Sequence, residues 1–225
     1  MTREPPPVRD DCCVDPRIAT HFDASNRSRS AGGSLPEMGA VTQRLYGQLR
    51  DAKELHPTVL ELGCGSGALT VGLLQLGADR ARGIDLSTEA ISTAGRRAEA
   101  AGVSDRVRFE VGDGAQAPLS KSDWVILDRV MCCYPDVDRL LGNAISAARS
   151  RVVFSVPNSR GWRGVVTRIV IPLEFIVTTL QRIPCRAYVH SLDVIEGTLR
   201  AEGFSLRSHT IGLWYTAVWE RPVAA

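Results

Sequence analysis

The sequence predicts an α/β fold on a doubly wound, seven-stranded mixed sheet that ends in a C-terminal antiparallel hairpin. Three observations carry that expectation. From residue 58 onward, apolar strand-like runs alternate with amphipathic helical ones, the pattern of parallel strands joined by helical crossovers. A glycine-rich turn, Gly63-Cys64-Gly65-Ser66-Gly67, joins the first strand to the helix after it. Near the end, Gly212 alone separates two strand-like runs, and so short a connection makes only an antiparallel pair.

Taken in order, residues 1–35 read as a flexible N-terminal arm. Pro5, Pro6, Pro7 and the run SNRSRSAGGS at 25–34 have little to bury. Residues 36–225 read as one domain. It opens with a helix over 36–50, where Met38, Val41, Leu45 and Leu49 recur every three or four positions. Strands are expected at 58–62, 82–85, 106–111, 124–127 and 151–156. Ser87 supplies an N-cap and Gly102 a C-terminal stop for the helix between the second and third. A helix near 136–149 precedes the fifth strand, and Ser191 caps a last helix that stops near Gly203. The strands 204–211 and 213–220 form the hairpin.

Composition bounds the function. The 225 residues include 27 Lys+Arg against 25 Asp+Glu, a net charge of +2. That balance gives no whole-molecule reason to expect nucleic acid or an anionic membrane as a partner. Hydrophobic residues make up 44% of the chain, enough for a sizeable core without disulfide staples. The six cysteines, Cys12-Cys13, Cys64, Cys132-Cys133 and Cys185, include two vicinal pairs, which rarely bridge each other. With a polar, proline-rich start and no secretory pattern, they point to a reducing cytoplasm.

The chemistry concentrates at strand ends. Glu61 lies two residues before Gly63, where an acid suits a cationic ligand rather than a pyrophosphate. Asp85 ends the second strand, placed to accept from both hydroxyls of a ribose. Asp113, between Gly112 and Gly114, follows the third strand, placed to accept from an adenine amino group. With Gly63, Gly65, Gly67, Leu86 and Gly114, these acids fit one adenosine-bearing cation. No cluster has metal-ligand spacing, so no metal is expected.

This set resembles the class I S-adenosylmethionine-dependent methyltransferases over roughly residues 55–220, which implies a Rossmann-like sheet and S-adenosyl-L-methionine as cofactor. The resemblance also implies cofactor contacts at Gly63, Gly65, Asp85 and Asp113, and an antiparallel last strand slotted between the fifth and sixth. A looser likeness to the magnesium-protoporphyrin O-methyltransferases rests on Phe154-Ser155-Val156-Pro157, His190, and the ending from Ala201-Glu202-Gly203-Phe204 to Trp219-Glu220. No residue marks a porphyrin, and that substrate is not assigned.

Ligands of open α/β sheets lie beyond the carboxyl ends of the strands, which narrows the search for catalytic groups. Asp128 leaves the fourth strand there and faces cofactor and acceptor, or pairs with a neighbouring arginine. Tyr134 packs on the cofactor or hydrogen-bonds the acceptor. His190, just before the last helix, is the general-base candidate, with a surface or capping role as its alternative. Residues 158–188 are too long for a plain connector and read as a helical lid, further core or an interfacial helix.

The expected reaction is methyl transfer to a small organic acceptor, at oxygen by analogy with the resembled family. A non-catalytic cofactor-binding scaffold is the alternative. The Asn/Asp-Pro-Pro-aromatic motif of nucleic-acid amino methylation is replaced by Asp128-Arg129-Val130-Met131, which disfavours RNA methylation. Arsenite methylation requires the vicinal cysteines to converge. Peripheral membrane contact and oligomeric state stay open.

Overall fold

The computed structural model describes residues 16–29, 35, 37–51, 56–174 and 187–222. The helices are α1 (Pro16–Arg29), α2 (Ala40–Arg50), α3 (Ala68–Gln75), α4 (Thr88–Ala100), α5 (Val137–Ala147), α6 (Gly161–Glu174) and α7 (Leu192–Ala201). The strands are β1 (Thr58–Leu62), β2 (Arg80–Asp85), β3 (Val107–Val111), β4 (Ser122–Asp128), β5 (Ala148–Pro157), β6 (Ser205–Ile211) and β7 (Trp214–Glu220).

The strands form one sheet in the order β3-β2-β1-β4-β5-β7-β6. The first five run parallel, and β7 pairs antiparallel with both β5 and β6. This is the expected doubly wound, seven-stranded mixed sheet. Successive side chains feed opposite layers, as a pleated strand requires. Along β4, Val125 and Leu127 join the α5 and α7 layer, while Trp124 and Ile126 join the α2, α3 and α4 layer.

That alternation positions the site. Glu61 shares the parity of Val59 and therefore points into the α3 layer. In the β1–β4 register Glu61 lies opposite Ile126, so Asp128, two residues on, emerges on the same face. Two carboxylates thus meet at one sheet edge because of register alone.

The expectation of a loosely ordered arm needs correction for residues 16–29, which form α1. Its own sequence is too polar to advertise a buried face, and what holds it is distant. Ile18 is buried, and Asp23 Oδ1 accepts from Ser87 Oγ at 2.6 Å and from the Glu89 amide at 3.1 Å. The first amides of α4 have no intrahelical acceptor, and an aspartate there also meets the favourable end of the helix dipole. Ser87 caps α4 through the Ala90 amide, and Gly102, at φ 67°, follows its C-terminal turn, both as expected. Ser191 occupies the cap position of α7 but makes no side-chain cap bond. Ser159 Oγ instead accepts from the Leu192 amide at 2.9 Å.

No described helix is long and apolar enough to cross a membrane. Of the expected lid over 158–188, α6 is described, while residues 175–186 lie outside the described residues.

Candidate active site

A cleft of about 270 Å³ opens at the carboxyl edge of β1 and β4. Its floor is Glu61, Gly63, Cys64, Gly65 and Asp128, and its roof comes from Asn26 of α1, Met38 and Gly39 just before α2, and Thr42 of α2. The glycine turn is folded by its backbone. The amides of Gly63 and Cys64 both donate to Ile84 O, at 2.7 and 3.1 Å, which pins the turn onto the end of β2. Gly63 has φ 72°, and a Cβ there would lie 2.5 Å from Val130 Cγ2. Gly65, at φ 51°, has nothing within 4 Å of the Cβ position, so its bare backbone faces open space.

Glu61 is buried and accepts a hydrogen bond from Thr70 Oγ1. Burial pushes its carboxyl up to about 8, and the neighbouring Asp128 and Asp85 carboxylates push the same way against the Thr70 bond. The Cys64 thiol is also raised, first by burial and then by Asp85 and Glu61. Asp128 is gripped from two directions. Thr42 Oγ1 donates to its Oδ2 at 2.6 Å, and Ser155 Oγ donates to Oδ1. Arg129 Nε lies 3.6 Å from Oδ2, so the ion pair with a neighbouring arginine is present while Asp128 still lines the cleft.

Asp85 anchors the turn. Its Oδ2 accepts from the Gly65 amide at 2.8 Å and its Oδ1 from the Ser87 amide at 2.9 Å. Burial raises its pKa, opposed by those two bonds. Leu86 follows it, half-buried. Gly67 closes the turn at φ 71°, with Ala94 and Phe109 where a Cβ would stand.

Asp113 does not share this cleft. It lines a small separate depression with Gln116, Tyr134 and Arg139. Its Oδ1 accepts from Tyr134 Oη at 2.7 Å and the Ala115 amide at 2.9 Å, and its Oδ2 from Gln116 at 2.8 Å. Lone pairs remain for a further donor, since a carboxylate has about four acceptor sites. The buried Gly114 backbone packs against Leu62. Tyr134 is buried, and its hydroxyl donates to Asp113, the other acid expected at the cofactor.

His190 is placed elsewhere. Its Nε2 lies 2.8 Å from Tyr134 O and 3.1 Å from Met131 O, two groups that only accept, so that nitrogen carries the proton. The ring stacks on Tyr188 at 5.8 Å, and burial lowers its pKa. It ties the chain before α7 to the loop after β4 and does not line the cleft. Sequence reasoning missed Thr42, Ser155, Asn26 and Asp23. Their partners lie 27 to 86 residues away, beyond the reach of local spacing.

The donor set suits a compact cation bearing hydroxyls. Two carboxyls converge on an open glycine backbone, and among the described lining residues only Arg129 is cationic. The family model of the methyltransferase domain matches residues 54–187, more than half of the chain, and the chain belongs to that family, the class I S-adenosylmethionine-dependent methyltransferases.

Particular relatives are more distant. Ribosomal protein L11 methyltransferase of Actinobacillus succinogenes is 45% identical over 69 residues, covering 31% of this chain and 23% of that protein. The chain spans less than a third of the length of the curated relatives it matches. Magnesium protoporphyrin IX methyltransferase from Synechocystis PCC 6803, solved with bound SAH, superimposes with TM-score 0.68 at 21% identity, over 92% of this chain and 100% of that one. An O-methyltransferase family protein from Burkholderia thailandensis gives 0.67 at 16% identity, over 92% and 63%. These structural likenesses establish the fold.

The grip on Asp128 has a measurable consequence. Ser155 Oγ donates to Asp128 and accepts from the Arg129 amide at 2.8 Å, so Ser155→Ala strands a buried carboxylate oxygen and a partly buried amide. A stability loss of about 1–3 kcal/mol is expected by urea denaturation.

Proposed function

We propose that this chain transfers the methyl group of S-adenosylmethionine to an oxygen of a small organic acceptor by in-line displacement. The observation that carries the reading is the shared cleft of Glu61, Gly63, Gly65 and Asp128, with Asp85 bonded to the turn that forms its floor. Bound there, the cofactor supplies a methyl carbon already activated by its sulfonium.

The residues divide the work. Gly63 and Gly65 let the cofactor approach the backbone, and Glu61 and Asp128 offset its positive charge. Asp85 accepts from the ribose hydroxyls while holding the turn. Asp113, with Tyr134 fixed against it, meets the adenine edge beside Gly114. Asp128, held by Thr42 and Ser155, positions the acceptor from the end of β4. His190 sits off the cleft, so an acceptor that arrives as a phenolate or carboxylate, with no proton to remove, fits best. Likeness to an O-methyltransferase family protein supports the choice of oxygen. The free thiols Cys64, Cys132 and Cys133 suit a reducing cytoplasm.

Purified protein incubated with cell extract and methyl-labelled S-adenosylmethionine tests this. Label is expected in organic-extractable metabolites as an O-methyl group. Label confined to RNA or ribosomal protein contradicts it.

A further inference from the structure

The α6 helix is amphipathic in the reverse of the usual sense for a surface helix. Its inward side is Gly164 and Thr167, both buried. A side chain at Gly164 would collide with the Ser159 backbone, and Thr167 Oγ1 donates to Asn158 O at 2.6 Å. The small inward residues leave the apolar ones turned out. Trp162 is 65% exposed, Val165 and Ile169 57%, and Val170 42%. At about 100° per residue, these four and Val166 span roughly 140° of the helix surface.

The flanks are cationic. Arg163 borders one edge of the stripe, its guanidinium 4.7 Å from the Trp162 ring centre. Arg168, exposed, borders the other. No acidic residue occurs between Gly161 and Leu173. An apolar stripe with a tryptophan and arginines on both sides matches an anionic lipid surface in charge and polarity.

We infer that α6 docks this protein onto an anionic lipid surface, with Trp162, Val165 and Ile169 inserted and Arg163 and Arg168 at the headgroups. The helix begins four residues beyond the end of β5, the strand whose Ser155 holds Asp128. Docking therefore brings the active edge of the sheet to the lipid, where an apolar acceptor partitions.

The test is co-sedimentation of the full chain with vesicles of phosphatidylcholine, alone or with one-third phosphatidylglycerol. The chain is expected to pellet with the mixed vesicles and to be released by salt. Removing each arginine, by Arg163→Gln or Arg168→Gln, lowers the partition coefficient about fivefold. Ile169→Glu lowers it by about tenfold or more, since a charge replaces a buried aliphatic group. Cofactor titration of the same variants gives wild-type affinity, which separates loss of docking from loss of the active site. A wild-type chain that stays in the supernatant, or Ile169→Glu pelleting like the wild type, overturns the inference. So does concentration-dependent self-association that Ile169→Glu abolishes, because a second copy then covers the stripe.

Discussion

Replacing Asp85 with alanine is expected to weaken S-adenosylmethionine binding by about 1–3 kcal/mol, roughly fivefold to 150-fold. Two losses combine. The carboxylate is placed to accept from the ribose hydroxyls, and those bonds disappear. The amides of Gly65 and Ser87, now bonded to Asp85, also lose their acceptor, so the turn must reorder before it receives the cofactor. Calorimetric titration reads the effect, with circular dichroism to show that the fold persists. Unchanged affinity in a folded Asp85→Ala protein removes Asp85 from the site.

The second large effect is a pH dependence. Glu61, with its pKa near 8 in the free protein, is mostly protonated at pH 7. A cationic ligand in the cleft favours the ionised carboxylate, so binding at pH 7 releases a proton. Affinity for S-adenosylmethionine is then expected to rise with pH by up to about tenfold per unit and to level off above about 8. Glu61→Gln flattens this dependence, since glutamine has no proton to release. An identical slope in both proteins contradicts the assignment.

The same shift acts on stability with a fixed sign. A carboxyl raised from 4.5 to about 8 makes the folded protein, free of cofactor, bind more protons than the unfolded chain between those values. Glu61's contribution to stability is therefore undiminished below pH 4.5. It falls by up to about 1.4 kcal/mol per unit as pH rises through the window, and the loss is complete above about 8. Saturating cofactor should offset the loss.

Much of the site was legible because its spacing is local. Glu61 through Gly67 is one strand and one turn, and a turn that must reach positive φ three times in five residues names its glycines. Asp85 was legible because it ends the short second strand just before the helix that Ser87 caps, and the hairpin because Gly212 leaves no room for a crossover. The roof was not. Nothing near Thr42 in sequence signals that it will donate to Asp128, 86 residues away. The arm offered no apolar period, since α1 attaches by capping α4 through Asp23 rather than by burying a stripe.

His190 illustrates a different limit. Chain order correctly put it near the active edge, but height along the sheet says nothing about which way a ring faces. Two backbone carbonyls took its proton-bearing nitrogen. Asp113 shows the same effect, its strand-end position read correctly and its partner Tyr134, 21 residues on, unforeseen. The outward stripe on α6 was legible only as periodicity, because an apolar repeat does not say which face meets the core.

The most direct test of the cofactor site is a crystal structure with S-adenosylhomocysteine bound. The ribose hydroxyls are predicted within hydrogen-bonding distance of Asp85, and the amino-acid end against Gly63 and Gly65 between Glu61 and Asp128. Density for the ligand anywhere else, or a cleft closed by side chains while the ligand binds in solution, contradicts that placement.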